Sequence, residues 1–168
     1  MKNNDGKDLM LRRKVSRELF MKFMYQNMLL KESWENLNDK LNNFIGNIEE
    51  DAVETYKYYG GRDLDELESY RDMVLDSTYL INISSAIENN ISEIDEKINK
   101  YARNWSINTL PIIDVSLLRV AIAEILYLND IPEYASCSEA VDIAKRYCDD
   151  DSYKYINGIL GSITSENR

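Results

Sequence analysis

At 168 residues, with 44% apolar and 30% charged side chains, the chain fits a single domain, residues 1–168, with a substantial core. Six Gly and two Pro leave few turn residues, which favours an all-α fold with short connections. The formal net charge of −10 speaks against nucleic acid until its distribution is read. Residues 1–31 hold eight basic against three acidic side chains, residues 32–100 six against seventeen, and residues 101–168 six against ten. A basic arm thus rides on an acidic body, and a local patch, not the total, decides whether phosphate can dock.

No run of about 18 apolar residues is present to cross a membrane, and the polar N-terminus has no hydrophobic signal core. Two Cys without a secretion signal argue against a disulfide framework, so the expected location is cytoplasmic. Residues 1–9 are polar and are expected to be mobile. A first helix is predicted from about Asp8 to Leu30, with Val15, Leu19, Phe23 and Leu30 near one stripe and Phe20, Met24 and Met28 widening it. Arg12, Arg13, Lys14 and Arg17 cluster on its first turns. A second helix is predicted around Trp34 to Ile45.

Residues 46–78 are acidic and rich in Tyr, with a Gly60-Gly61 turn between two weak predicted helices, Ala52–Tyr59 and Leu64–Ser77. Tyr79, Ile83, Ile87, Ile91 and Ile94 form the next helical stripe. Asp95 is then expected to cap a separate helix that buries Ile98, Tyr101, Ala102 and Trp105. After Pro111 comes a long helix opened by Asp114, apolar nearly all round and therefore central. Within it, Arg119 and Glu124 must find partners, because unpaired buried charges are costly. Pro132 closes the following loop. The run from Glu139 to Gly158 then reads as a helix, an acidic turn and the start of another helix. Ser136 offers a capping box to Glu139, Tyr147 lies on the apolar side, and Asp149 to Ser152 supply caps for the last helix.

Catalytic chemistry finds little support. The chain has no His, the commonest general base and metal ligand. Cys137 and Cys148 make no CxxC pair, Gly60-Gly61 is only a turn, and Asp149-Asp150-Asp151 lacks the alternation of a calcium loop. No enzyme activity, metal or cofactor is expected. A binding function needs only a surface. Backbone N–H groups at the start of the last helix, together with Lys154, can meet phosphate, and Tyr155 can stack a base.

Three ordered blocks carry a resemblance. EAVDIAKRYCDDDSYKYINGIL, residues 139–160, resembles the C-terminal signature of the bacterial transcription antitermination family NusB. RRKVSRELFMKFMYQ, residues 12–26, resembles the family's Arg-rich first helix, and NWSINTLPIIDVSLLRVAIAEILYLNDIP, residues 104–132, its central block. Cys137-Ser138 and Tyr155 depart from the family's usual Ile-Asn and Phe, and residues 46–78 from its usual short linker. The resemblance implies an all-α fold of about seven helices in two packed bundles. It implies an RNA-binding factor that pairs with the ribosomal protein NusE on boxA RNA. Together these help RNA polymerase, with other Nus factors, resist termination on ribosomal RNA operons. Carried over by position, Arg13, Lys14, Arg17, Tyr25, Asp151, Ser152, Lys154 and Tyr155 are the expected RNA-side residues, with Arg12 in the same cluster. Asp114 and Glu124 match acidic positions near or beneath the partner surface. Homodimerisation is an open alternative state. Rival readings are a helical adaptor without RNA affinity, using the acidic segment as its face, and a detached accessory domain of an RNA cytosine methyltransferase.

Overall fold

The computed structural model describes residues 2–168. Eight helices and no strands occur among the described residues: α1 (Lys2–Leu29), α2 (Leu37–Ile45), α3 (Glu49–Tyr58), α4 (Tyr70–Val74), α5 (Ser77–Tyr101), α6 (Ile112–Tyr127), α7 (Glu133–Tyr147) and α8 (Ser152–Glu166). Helix α6 is the centre. Every residue from Asp114 to Ile125 is buried, as a helix apolar round its whole circumference requires, and α1, α5, α7 and α8 all pack on it. Helices α2 to α4 gather on the outer side of α1 and α5. Helices α1 and α6 run antiparallel: Arg17 meets Glu124 and Met28 meets Ser116.

Several boundaries differ from the sequence expectation. Helix α1 begins at Lys2, so residues 2–9, expected to be mobile, continue the helix; Met1 lies outside the described residues. Helix α2 starts only after Asn36, whose left-handed backbone (φ 54°) breaks the chain. Trp34 therefore sits in the preceding loop, its ring under the Arg119 guanidinium at 4.6 Å. Of the predicted Leu64–Ser77 helix only Tyr70–Val74 forms. Ahead of it the chain is held irregular by Glu68, which accepts hydrogen bonds from Arg62 and from the Asp65 backbone N–H.

Asp95 caps nothing. Helix α5 runs through it, kinked at Asn90, whose amide donates to the Ala86 carbonyl at 2.8 Å. The Asp95 carboxylate instead accepts two hydrogen bonds from Arg119, at 2.8 and 2.9 Å. Pairing a buried guanidinium outweighed a cap worth about 1 kcal/mol. Trp105, expected in the core, is 57% exposed in the loop before Pro111. Helix α7 begins four residues early, with Pro132 instead of Ser136 at its N-cap, so Ser136 is interior and makes no capping box. Tyr147 is exposed rather than on the apolar side.

Candidate nucleic-acid interface

Helix α7 ends at Cys148, three Asp residues make the turn, and α8 starts at Ser152. This corner borders an open cavity of about 690 Å³ lined by Trp105, Leu110, Pro111, the Asp149–Asp151 turn, Ser152 and Tyr155. Lys154 is 65% exposed and paired with Asp151 at 3.0 Å, an i,i+3 surface pair that water screens and an incoming phosphate can replace. Tyr155 is half-buried, with its hydroxyl 3.3 Å from the Ser152 hydroxyl. Ser152 itself is buried. The N–H groups of Ser152 and Lys154, expected to be free for phosphate, instead donate to the Asp149 and Asp151 carbonyls at 2.9 and 3.1 Å. What the corner offers is the Tyr155 ring on the open space and the exposed Lys154 ammonium beside it.

Behind this corner lies Asp114, fully buried in the first turn of α6. Neither of its carboxylate oxygens makes a well-formed hydrogen bond. The Cys148 thiol and Ser152 hydroxyl face it, and burial pushes its pKa above the usual value. Burial, with Asp114 beside it, pushes the Cys148 thiol up as well, so this cysteine is a packed, inert group.

The basic arm is arranged differently from its sequence impression. Arg17, 5% exposed, is interior. Its Nε donates to Glu124 Oε1 at 2.6 Å; the Tyr79 hydroxyl donates to the same oxygen at 2.6 Å and Ser136 to Oε2 at 2.7 Å. Burial works against the Arg17 charge, but Glu124 and Tyr79 outweigh it and raise the pKa. Arg17 and Glu124 are thus the hub of a buried network joining α1, α5, α6 and α7, and Glu124 offers no surface to a partner. Arg12 pairs with Asp8 at 3.0 Å, Arg13 with Asp76 and Asp130 at 3.1 and 3.2 Å, and Lys14 with Glu139 at 2.5 Å. These three keep part of their side chains exposed.

The two groups of sequence-predicted residues lie at opposite ends of α6. Arg13 reaches Asp130, just past the C-terminus of α6, whereas Ser152 faces Asp114 in its first turn. Sixteen helical residues put about 24 Å between those ends. Tyr25, partly exposed on the last turns of α1, lies toward the α8 end, because α1 and α6 are antiparallel.

Sequence reasoning passed over a cluster beside the α8 corner: Tyr58 and Tyr59 at the end of α3, with Lys145, Arg146 and Tyr147 in the last turn of α7. The signal was present as a Tyr doublet and a Lys-Arg-Tyr triplet, but only the fold brings them together.

The model of the NusB family matches residues 14–165, from the middle of α1 to the last turn of α8. The chain belongs to the NusB family. It is 33% identical to the transcription antitermination protein NusB of Clostridium tetani over 156 residues, covering 93% of this chain and 99% of that protein. It is 35% identical to the NusB of Clostridium botulinum over 153 residues, covering 91% and 99%. Among solved structures, Thermotoga maritima NusB superposes with a TM-score of 0.67 at 29% identity, covering 92% of this chain and 91% of that one. The fold also matches a structure of antitermination factors NusB and NusE in complex with double-stranded RNA, at a TM-score of 0.61 and 22% identity, covering 91% and 96%. The span of the NusB match, residues 14–165, encloses the acidic segment 46–78. No helix among the described residues is long and apolar enough to cross a membrane.

Proposed function

We propose that this chain is a cytoplasmic, non-catalytic antitermination factor that binds boxA-type RNA together with NusE. In that assembly it helps RNA polymerase, with the other Nus factors, pass terminators on ribosomal RNA operons. The observation that carries the reading is the open corner at the start of α8. There Tyr155 and Asp151 line one cavity, and the exposed Lys154, paired with that Asp151, lies between them in the sequence, inside the C-terminal block that resembles the family's signature. Membership of the NusB family, whose Clostridium members are transcription antitermination proteins, supports the same conclusion.

Within this reading, Lys154 takes a phosphate, Tyr155 stacks a base, and Asp151 orients Lys154 while the site is empty. Ser152 acts from beneath, by holding the Tyr155 hydroxyl. Tyr25 supplies a further exposed ring toward the same end. Arg12, Arg13 and Lys14 form a second, more distant contact that exchanges carboxylate partners for phosphates. Arg17 contributes by holding α1 in place through Glu124, not by touching RNA. Asp114 influences a partner only through the α8 corner it underlies.

Fluorescence anisotropy with a boxA-like RNA and a scrambled control, with and without NusE, tests the proposal. Selective binding strengthened by NusE and lost in Lys154→Ala/Tyr155→Ala supports it. Equal binding of both RNAs in every combination, with folded NusE present, refutes it.

A further inference from the structure

The chemistry of the α8 corner continues onto the last turn of α7. The Arg146 guanidinium lies 4.6 Å from the ring centroid of Tyr58, 5.2 Å from that of Tyr59 and 5.3 Å from that of Tyr147. Tyr58 and Tyr59 are set edge to face, 5.2 Å apart with 77° between their planes. Arg146 is fixed by an ion pair with Glu18, which is buried, and by donating to the Tyr59 hydroxyl. One residue earlier, Lys145 sits 5.1 Å from the ring of Tyr153, which Lys154 also approaches at 5.9 Å. Rings and cations therefore alternate from the end of α3, around α7, to the proposed RNA corner.

A core role does not account for this arrangement. Tyr58 is 64% exposed and Tyr147 is also exposed. Attraction of phosphate does not account for it either. Arg146 already has Glu18 as its counter-ion, and the neighbouring Lys22 has Asp51 at 3.0 Å. What the patch offers is a set of held, solvent-facing ring planes with little net charge. Every nucleobase has a face that such rings can stack, whatever the sequence. Tyr58 and Tyr59 come from the acidic segment, whose charge otherwise makes it an improbable neighbour for RNA.

We infer that Tyr58, Arg146 and Tyr147, linked through Lys145 and Tyr153 to the α8 corner, form a stacking platform for single-stranded nucleotides that flank the recognised RNA element. The inference rests on the RNA-binding function proposed above. It gives the end of the acidic segment a part in that function: lengthening the RNA path by stacking, with little salt dependence of its own.

The test uses the full chain with NusE and two RNAs, a boxA-like element alone and the same element with short single-stranded flanks. The unmodified chain binds the flanked RNA more tightly. Tyr58→Ala removes that advantage, a loss of roughly 5- to 150-fold for one stacked base. It leaves affinity for the bare element and the salt slope unchanged, and Tyr58→Phe retains the advantage. An unchanged far-UV circular dichroism spectrum shows that Tyr58→Ala is folded, as expected for so exposed a side chain. Equal affinity of the unmodified chain for the two RNAs, or no effect of Tyr58→Ala, overturns the platform. Tighter binding by Tyr58→Ala also overturns it, because the segment then shields the site instead of extending it. In each of those cases the function stands if Lys154→Ala/Tyr155→Ala still loses the bare element. If neither RNA binds the unmodified chain, both readings fail.

Discussion

Replacing Glu124 by Gln keeps the shape of the side chain and removes its charge. Arg17 then loses its close counter-ion and keeps only the longer ion pair to Glu139, at 3.9 Å. Three donors converge on Glu124, from Arg17, Tyr79 and Ser136, and an amide offers only one acceptor oxygen in place of two. Breaking a buried pair in this one-sided way costs about 3–5 kcal/mol. Native domains have only about 5–15 kcal/mol in hand, so much of the stability is at stake. At about 2–4 °C per kcal/mol for a chain of this size, the midpoint of thermal unfolding falls by roughly 6–20 °C. Urea unfolding followed by circular dichroism gives the free energy directly. Arg17→Met/Glu124→Leu removes both charges and is expected to recover much of the loss, because apolar replacement of a whole buried pair is often near neutral. A Glu124→Gln variant within about 1 kcal/mol of the parent, or a double variant worse than the single one, would refute the assignment of this network as the hub joining four helices.

Gly61→Ala places a Cβ 2.3 Å from two carbons of the buried Tyr56 ring, so overpacking lowers stability by about 1–3 kcal/mol in urea unfolding. Asp114 has its pKa raised from 3.8 by burial, so the folded state holds that proton more tightly than the unfolded one. Its contribution to stability is therefore lost as pH rises from about 3.8 through the raised value. Asp114→Asn is thus expected to be more stable than the parent at pH 7, with the advantage shrinking toward pH 4; urea midpoints at the two pH values check the sign. Lys154→Ala makes the dependence of log affinity on log salt shallower by about 0.7, whereas Tyr155→Ala lowers affinity and leaves that slope alone, in anisotropy titrations at several salt concentrations.

Helix α6 was legible because its apolar residues leave no polar face, and only the centre of a helical domain accepts such a helix. The α8 corner was legible because its signature residues are contiguous in sequence, although Asp151 stands at the N-cap without the side-chain cap hydrogen bond expected of it. What was not legible depended on distant partners. Asp95 reads as a cap until Arg119 claims it, and Ser136 reads as a cap until Glu124 claims it. Arg17 looks like its neighbours Arg13 and Lys14, yet one turn farther along α1 places it under α7 and against Glu124. Trp105 continues the helical spacing of Ile98, Tyr101 and Ala102, but α5 ends at Tyr101 and the loop that carries Trp105 leaves it beside the open cavity. The Tyr58–Arg146 cluster joins residues nearly ninety positions apart, beyond any local pattern.

The decisive measurement is transcription through a terminator placed downstream of a boxA-bearing leader, with RNA polymerase, NusE, the other Nus factors and this chain. The proposed function predicts that the chain raises read-through only when boxA is intact, and that Lys154→Ala/Tyr155→Ala abolishes the gain while remaining folded. Read-through that is the same with and without the chain, or that rises equally on a leader with scrambled boxA, would contradict it.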